Sequence, residues 1–318
     1  IMLGLLFHNI TVPENRFRFA VAPLFAFGSR TLNGAGSVGY VWYPHGIFKD
    51  IMLQADAKSF HNNETFVNVP DRLYTRFLKV APSLEFTFKE KSPLSHSTRT
   101  LLLKQYNITE ETINFGTLPT DVPRLVTAQN MYGLIRYRHV NERTYNPFNY
   151  SLEAHGNGDF AKLSAEANLR IDYNVKNKAL LVRGYAGKYL AFNNAAAVTS
   201  RYQLNSSFGG ENDYLYDGTY RGRNATNGLA AQQISIQEGG FKIPVHSGVY
   251  RSDNWMAAVN LKTDLPKINV PVRLFFDAGL IPNATPSFKN SSSTKLLYEG
   301  GVEVFLSKDI ISFYFPII

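Results

Sequence analysis

The chain has 318 residues, of which 44% are hydrophobic, 14% are aromatic and only 18% are charged. This composition excludes intrinsic disorder, because disordered chains combine low hydrophobicity with high charge. The absence of cysteine excludes disulfides, thiolate metal sites and cysteine nucleophiles. The net charge of +8 is spread along the chain rather than clustered, and this disfavours nucleic acid as a partner.

The first residues, Ile1 to Phe7, are apolar and uncharged. Such stretches are far shorter than the roughly 18 apolar residues that a transmembrane helix needs. They contain no recognisable signal peptide and look like the middle of an ordered segment. We therefore expect the sequence to be a fragment of a longer protein.

Alternation of apolar and polar side chains is the dominant pattern along the chain. A period of two is typical of β-strands, whose successive side chains point to opposite faces. The clearest runs are Phe17 to Phe27, Leu53 to Lys58, Leu78 to Lys89, Phe160 to Tyr173 and Val272 to Leu280. Turn clusters separate these runs, and the spacing predicts about fourteen antiparallel strands.

A water-soluble β-sandwich would also alternate, but three features favour a transmembrane β-barrel. Many runs have ten or more residues, which suits tilted strands that cross a bilayer. Their polar faces carry charges throughout, as a wet lumen permits. Aromatic residues mark their ends, as interfacial girdles do, and these are Tyr40, Trp42, Tyr43, Tyr132, Tyr137, Phe313, Tyr314 and Phe315.

Two prolines, Pro23 and Pro82, lie within apparent strands. Proline lacks the N–H that a ladder needs, so we expect a bulge or a sheet edge at each.

Charged side chains on the polar face are expected to line the lumen. Because their signs are mixed, cross-strand neutralisation is expected, whereas a selective pore would show a bias of one sign. The principal lumen charges are Lys162, Glu166, Arg170, Arg273, Glu299 and Glu303.

Catalytic and metal-binding patterns are missing from the sequence. The seven histidines include no pair at the i, i+4 spacing that grips zinc, and there is no His-Glu-x-x-His. Ser95-His96-Ser97 lacks a nucleophile elbow. Gly34 to Gly39 spells Gly-x-Gly-x-x-Gly but runs into a strand rather than a phosphate-binding helix. We predict no catalytic residues, no metal and no cofactor.

The order of motifs from about residue 148 onward resembles a known family. The motifs are Tyr150 to Glu153, Leu181 to Gly187, Phe208-Gly209-Gly210 with Tyr220-Arg221-Gly222, Ala257 to Leu261, Phe275 to Gly279, Glu299 to Glu303 and Ile311 to Pro316. Together they resemble the surface-antigen barrel of the outer-membrane protein-assembly superfamily, which includes BAM- and TAM-type insertases and two-partner secretion translocators.

The resemblance implies one outer-membrane barrel domain over residues 1–318, with about fourteen strands present of sixteen and the first and last missing. It also implies a long loop, about residues 203–253, that folds into the lumen. Arg221 and Gly222 would anchor this loop on Asp277 through a charge-assisted hydrogen bond. Arg223 departs from the family's aromatic residue, and Asn260 or Lys262 stands near the place of an expected glutamate. Alternatively, Arg221 is solvated.

The implied function is a membrane anchor or a component of an outer-membrane protein assembly or secretion machine, in the bacterial outer membrane and without enzymatic activity of its own. A passive porin is one alternative. Another is the barrel of a zinc aminopeptidase-like protein with an upstream catalytic domain, which motifs such as Glu238-Gly239-Gly240-Phe241-Lys242 resemble. Expected partners are the lipid bilayer, lipopolysaccharide, which the positive net charge favours, and outer-membrane or periplasmic subunits.

Overall fold

The computed structural model describes residues 2–68, 71–92, 94–115, 123–193, 200–208, 213–217, 234–244, 250–268, 270–282, 294–306 and 310–317, with backbone alone for residues 62–68 and 71–72. These residues form β-strands and no α-helix, which confirms the all-β prediction. Within the same residues, no helix that could cross a membrane is found.

The strands of the main sheet closely follow the predicted runs. They are β1 (Met2–Gly4), β2 (Phe7–His8), β3 (Phe17–Ala26), β4 (Thr31–Trp42), β5 (Phe48–Asn68), β6 (Asp71–Phe88), β7 (Ser97–Asn114), β8 (Arg124–Asn141), β9 (Phe148–Gly156), β10 (Phe160–Asp172), β11 (Ala179–Phe192), β16 (Trp255–Asp264), β17 (Val272–Pro282), β18 (Thr294–Leu306) and β19 (Ile311–Pro316). Four two-residue strands lie between β11 and β16, namely β12 (Tyr202–Gln203), β13 (Ser207–Phe208), β14 (Ile234–Ser235) and β15 (Arg251–Ser252).

The main sheet has fifteen strands, and its hydrogen-bonded order follows the chain order from β1 to β19. Only β2 lies off this path, where it shares β3 with β1, and β12 to β15 form two small separate sheets. The described path therefore has fourteen strand positions, which confirms the predicted number. The Gly-x-Gly-x-x-Gly run lies within β4, as expected for a strand.

The chain divides into two compact units. Unit 1 includes residues 1–89 and 100–135. On one face of its strands, large apolar side chains are exposed, among them Phe25, Val38 and Leu53. The other face carries charges such as Asp56, which pairs with Lys104 at 3.5 Å.

The expected bulges at the two prolines are absent. Pro23 pairs in register with Gly34, and Pro82 pairs in register with Ala55. Beside Pro82 the ladder to β7 passes from Val80 to Ser83 without a register shift. Both β3 and β6 have neighbouring strands on each side, so neither proline lies at a sheet edge. The missing N–H is accommodated as a local gap in the ladder, and the prediction of a bulge or an edge was wrong at both positions.

Unit 2 includes residues 90–99, 136–221 and 227–318. Its strands β9, β10, β11, β16, β17, β18 and β19 pair in that order. We call the face of this sheet that bears Leu163, Val259 and Leu280 the apolar face; these side chains are 41–48% exposed. We call the opposite face, which bears Lys162 and Asp277, the polar face, and both of these residues are buried.

The inserted segment, defined as residues 193–254 between β11 and β16, contributes its described parts to unit 2. It is held together by its own backbone. The N–H of Leu204 donates to the carbonyl of Tyr250 at 2.9 Å, and the N–H of Phe241 donates to the carbonyl of Leu204 at 3.0 Å. Phe241 and Leu204 are both buried, so the segment has an apolar centre of its own.

Candidate functional site

A row of polar side chains crosses the polar face of unit 2 at right angles to the strands. Its members are direct cross-strand partners on six adjacent strands, β9, β10, β11, β16, β17 and β18. Side chains of direct partners lie on the same face and interact. This polar row consists of Asn149, Asn168, Arg183, Asn260, Asp277 and Glu299.

Hydrogen bonds join neighbouring members of the polar row. Arg183 donates to Asn260 Oδ1 at 2.8 Å, and Asn260 donates to Asp277 Oδ1 at 2.9 Å. Glu166 links Asn168 to Arg183, because its two oxygens accept from them at 2.8 Å and 2.7 Å. The row is therefore a connected network rather than a series of separate pairs.

Two carboxylates face each other at the end of the polar row. Asp277 on β17 is the direct partner of Glu299 on β18, and both side chains are buried. Like charges placed directly opposite each other repel. The sheet alone thus creates a site in which a cation or several N–H donors are needed to stabilise the two carboxylates.

Lys242 of the inserted segment occupies this site. Its Nζ lies 2.7 Å from Asp277 Oδ2, with side-chain exposures of 3% and 0%. Its backbone N–H donates to Glu299, and the N–H of Ile243 donates to Glu299 Oε2 at 3.2 Å. One residue of the segment therefore neutralises the first carboxylate and hydrogen-bonds to the second.

The backbone turn before Lys242 fits closely against the polar row. Asn260 donates to the carbonyl of Gly239 at 3.0 Å, and the Lys242 ammonium donates to the carbonyl of Gly240. Gly240 has φ of +80°, and a Cβ there would come within 2.3 Å of the Asn260 side chain. Only glycine meets both requirements at this position.

A second contact holds the segment against β10. Lys162 Nζ lies 3.2 Å from Glu238 Oε1 and 3.3 Å from the carbonyl of Ser200. The rings of Tyr202 and Tyr214 lie 5.0 Å and 5.5 Å from the same ammonium, within cation–π range. Acceptors and rings of the inserted segment thus contact the Lys162 ammonium.

Tyr202 also fixes the segment to the strand backbone. Its hydroxyl donates to the carbonyl of Leu163 at 2.7 Å, and its ring lies over Gly187 of β11. A Cβ at Gly187 would come within 2.6 Å of that ring. The small residue on β11 therefore makes room for the aromatic residue of the segment.

Burial affects the ionisation of two groups in the inserted segment. Burial lowers the pKa of Lys242, and the Asp277 carboxylate opposes this shift. Burial raises the pKa of the Tyr202 phenol, which the Lys162 ammonium opposes. Tyr202 is therefore a neutral hydrogen-bond donor at physiological pH.

The predicted site residues have different outcomes. Asp277 lies against the inserted segment, where it accepts hydrogen bonds from Lys242 and from Asn260 of β16. Arg221 and Gly222 lie outside the described residues, so their proposed contact with Asp277 stays a prediction. Lys242 and Glu238, which sequence reasoning did not select as site residues, are the charged members of the Glu238-Gly239-Gly240-Phe241-Lys242 motif.

Each of the six predicted lumen charges has a partner. Arg170 lies 2.6 Å from Asp172, Arg273 lies 2.8 Å from Asp264 and Glu303 lies 3.0 Å from Lys262. Glu166 pairs with Arg183 and Lys162 with Glu238, while Glu299 accepts the two N–H groups described above. The polar face of unit 2 is thus close to locally neutral, and no group of three or more potential metal ligands occurs among the residues described.

Comparisons with known proteins give structural likenesses only. No family model matches the chain. No curated protein matches it either. Among solved structures, CdiB from Acinetobacter baumannii has a TM-score of 0.46 at 11% identity, over 92% of this chain and 47% of that one. BamA from Haemophilus ducreyi, in a crystal structure lacking POTRA domains 1–3, has a TM-score of 0.42 at 13% identity, over 99% of this chain and 66% of that one.

The chain thus spans about half of the CdiB chain and just under two thirds of the BamA chain.

Proposed function

We propose that the chain is an integral β-barrel of the bacterial outer membrane that forms the membrane-embedded part of a protein assembly or secretion machine. The observation that carries this proposal is the inverted distribution of polarity across the strands. Leu274, Phe276 and Leu296 are 42–62% exposed on one face, whereas Asp277, Glu299 and Glu303 are at most 2% exposed on the other.

A water-soluble protein favours the opposite arrangement, because charged residues are almost never fully buried and large apolar patches are rarely exposed. A barrel in lipid has an apolar outer surface and a polar interior. Exposed leucines and phenylalanines on alternate positions then contact acyl chains. The paired charges on the polar face contact the lumen and the inserted segment.

The inserted segment supports a role in a machine more than a role as a passive pore. Its contacts with Asp277, Glu299 and Lys162 include two buried ammonium groups. Removing one partner of a buried ion pair typically destabilises a protein by about 3–5 kcal/mol. We propose that these contacts hold the segment on the lumen wall at rest and limit ion flow.

Planar-bilayer conductance tests this proposal. The wild-type protein should show low conductance with rare openings, and Asp277→Asn should raise the open probability because it removes the charge that holds Lys242. Asp56→Asn is the matched control, since Asp56 is a carboxylate on the polar face of unit 1 that pairs with Lys104. It should leave the conductance unchanged.

A steady, large open state in the wild-type protein that Asp277→Asn does not alter would instead establish a passive porin. Membrane integration is tested separately by extraction of native membranes with alkaline carbonate. The protein should remain in the membrane pellet, and a compact protein that stays soluble without detergent would refute the barrel itself.

A further inference from the structure

Four turns of unit 2 lie at the same end of the sheet. They belong to the connections from β6 to β7, β8 to β9, β10 to β11 and β16 to β17. Since neighbouring strands are antiparallel, every second connection returns to this end. We call residues 90–96, 142–147, 173–178 and 265–271 the rim, and the structure describes all of them except residues 93 and 269.

Hydrogen bonds join each turn of the rim to the next. The N–H of Glu142 donates to the carbonyl of His96 at 2.9 Å. Asn146 exchanges two hydrogen bonds with Asp172 at the end of β10, both of 2.9 Å. The Lys178 ammonium donates to a carbonyl of the fourth turn at 3.0 Å. The rim is therefore one continuous surface rather than four independent turns.

The rim is cationic. It contains five basic and two acidic residues, and one of the acidic residues, Glu90, is paired with Arg99 of β7 at 2.8 Å. The ammonium groups of three exposed lysines have no ion-pair partner within the described part of the chain. These lysines are Lys91, Lys176 and Lys267, so one is present in each of three turns.

Each turn of the rim also exposes a large apolar side chain. Leu94, Tyr145, Val175 and Ile268 are 41–86% exposed. The apolar face of unit 2 extends to the rim, because Ile171 at the end of β10 is exposed as well. Basic and apolar side chains occur together in this way at a membrane–water interface, where the charges meet head groups and the apolar groups meet acyl chains.

We infer that the rim binds the head groups of anionic phospholipids, with the lysine ammonium groups at the phosphates and the apolar turn side chains among the acyl chains. The inference deepens the proposed function and rests on it, since it requires the sheet to lie in a membrane. An occupant of the rim has to meet cationic groups and the apolar face beside them. An anionic phospholipid has both chemistries in one molecule, whereas an acidic protein segment has only the charge.

The position of the rim favours phospholipid over lipopolysaccharide. In outer-membrane barrels the short turns lie on the periplasmic side and the longer loops on the outer side. The turns of the rim are short, and the inserted segment leaves the sheet at the opposite end, after Phe192 of β11. The rim therefore meets the periplasmic leaflet, which consists of phospholipids.

Native mass spectrometry of the full chain in a neutral detergent tests this inference. The probes are phosphatidylglycerol and phosphatidylcholine with identical acyl chains, so that the two lipids differ in the net charge of the head group. Titration gives the affinity for each lipid. Hydrogen exchange in the presence of either lipid shows which amides become protected.

We expect phosphatidylglycerol to bind more tightly than phosphatidylcholine and to slow hydrogen exchange within residues 142–146 and 174–178. Lys91→Gln, Lys176→Gln and Lys267→Gln together should reduce this preference by about fivefold or more. A factor of about five per lysine corresponds to the ~1 kcal/mol that a lysine contributes near an anionic lipid surface.

The matched control changes the same three lysines to arginine. Lys91→Arg, Lys176→Arg and Lys267→Arg together keep the charge at each position, so the preference for phosphatidylglycerol should persist. A loss of preference in this control as large as in the glutamine variant would overturn the inference, because charge would then not be the property that the lipid recognises.

Two competitors distinguish the other occupants. Displacement of phosphatidylglycerol by an equimolar hexaglutamate peptide would overturn the inference, because the rim would then fit an acidic protein segment. Displacement by equimolar lipopolysaccharide would also overturn it, because that lipid would be the preferred source of phosphate.

The outcome is separable from that of the proposed function. Equal binding of the two phospholipids by a chain that remains in carbonate-washed membranes would overturn the inference and leave the proposed function intact. Release of the chain by carbonate would refute the proposed function, and the inference with it.

Discussion

Lys242 illustrates how a buried charge at a single position can organise the inserted segment. The direct pairing of Asp277 with Glu299 brings two buried carboxyl groups together, and one lysine of the inserted segment provides both an ammonium group and a backbone N–H there. A buried ion pair of this kind contributes more to the placement of the segment than to overall stability, because desolvation offsets much of its attraction.

A charge swap tests this pair. Asp277→Lys should loosen the inserted segment and increase its cleavage by a protease several-fold, because two ammonium groups would then meet in a buried site. Adding Lys242→Asp should restore part of the protection. The measurement is the rate of limited proteolysis within residues 200–252, and a double variant cleaved as fast as the single one would show that the pair does not hold the segment.

Gly240 permits a separate test of the turn before Lys242. Gly240→Ala combines a positive φ with a contact to Asn260, so we expect it to destabilise the docked segment by about 1–3 kcal/mol. Gly158→Ala is the control, because no atom lies within 4 Å of a Cβ at that position. The measurement is the temperature at which the segment becomes susceptible to protease, which should fall for Gly240→Ala but not for Gly158→Ala. Equal effects would contradict the close fit of the turn.

At the scale of elements, alternation in the sequence predicts the strands and their two faces because a period of two is a local property. Phe160 to Tyr173 became β10 with Lys162, Glu166 and Arg170 on the predicted side. The inserted segment has no such period, and its contacts depend on residues far apart in the chain. The Glu238 to Lys242 motif was visible, but nothing local indicates that its two charged ends meet β10 and β17.

These two contacts should be separable. Lys162→Met should release the part of the segment near Gln203, whose N–H donates to Glu238 at 3.2 Å, while the Lys242 contact with Asp277 persists. Hydrogen exchange should then accelerate at Gln203 and Leu204 but much less at Lys242 and Ile243. Uniform acceleration would mean that the segment detaches as one body.

At the scale of the whole molecule, the exposure of large apolar side chains along the strands predicts how the protein responds to added charge. Val259→Arg places a cation on the apolar face, and a mid-membrane arginine on a barrel costs about 2–4 kcal/mol. Ser37→Arg is the control, because Ser37 is the direct partner of Asp56 on the polar face of unit 1. Folding yield into lipid vesicles should fall for Val259→Arg only, and equal yields would argue against a lipid-facing surface.

The polar row also has a consequence for how the strands of unit 2 find their partners. A slip of one residue in any of its five ladders would turn a charged or amide side chain toward the apolar face and separate it from its hydrogen-bonding neighbours. An intermediate with a shifted register would therefore have a higher free energy at any of the ladders from β9 to β18. The polar row therefore has a second role. Besides holding the inserted segment, it favours the correct strand register while the sheet assembles.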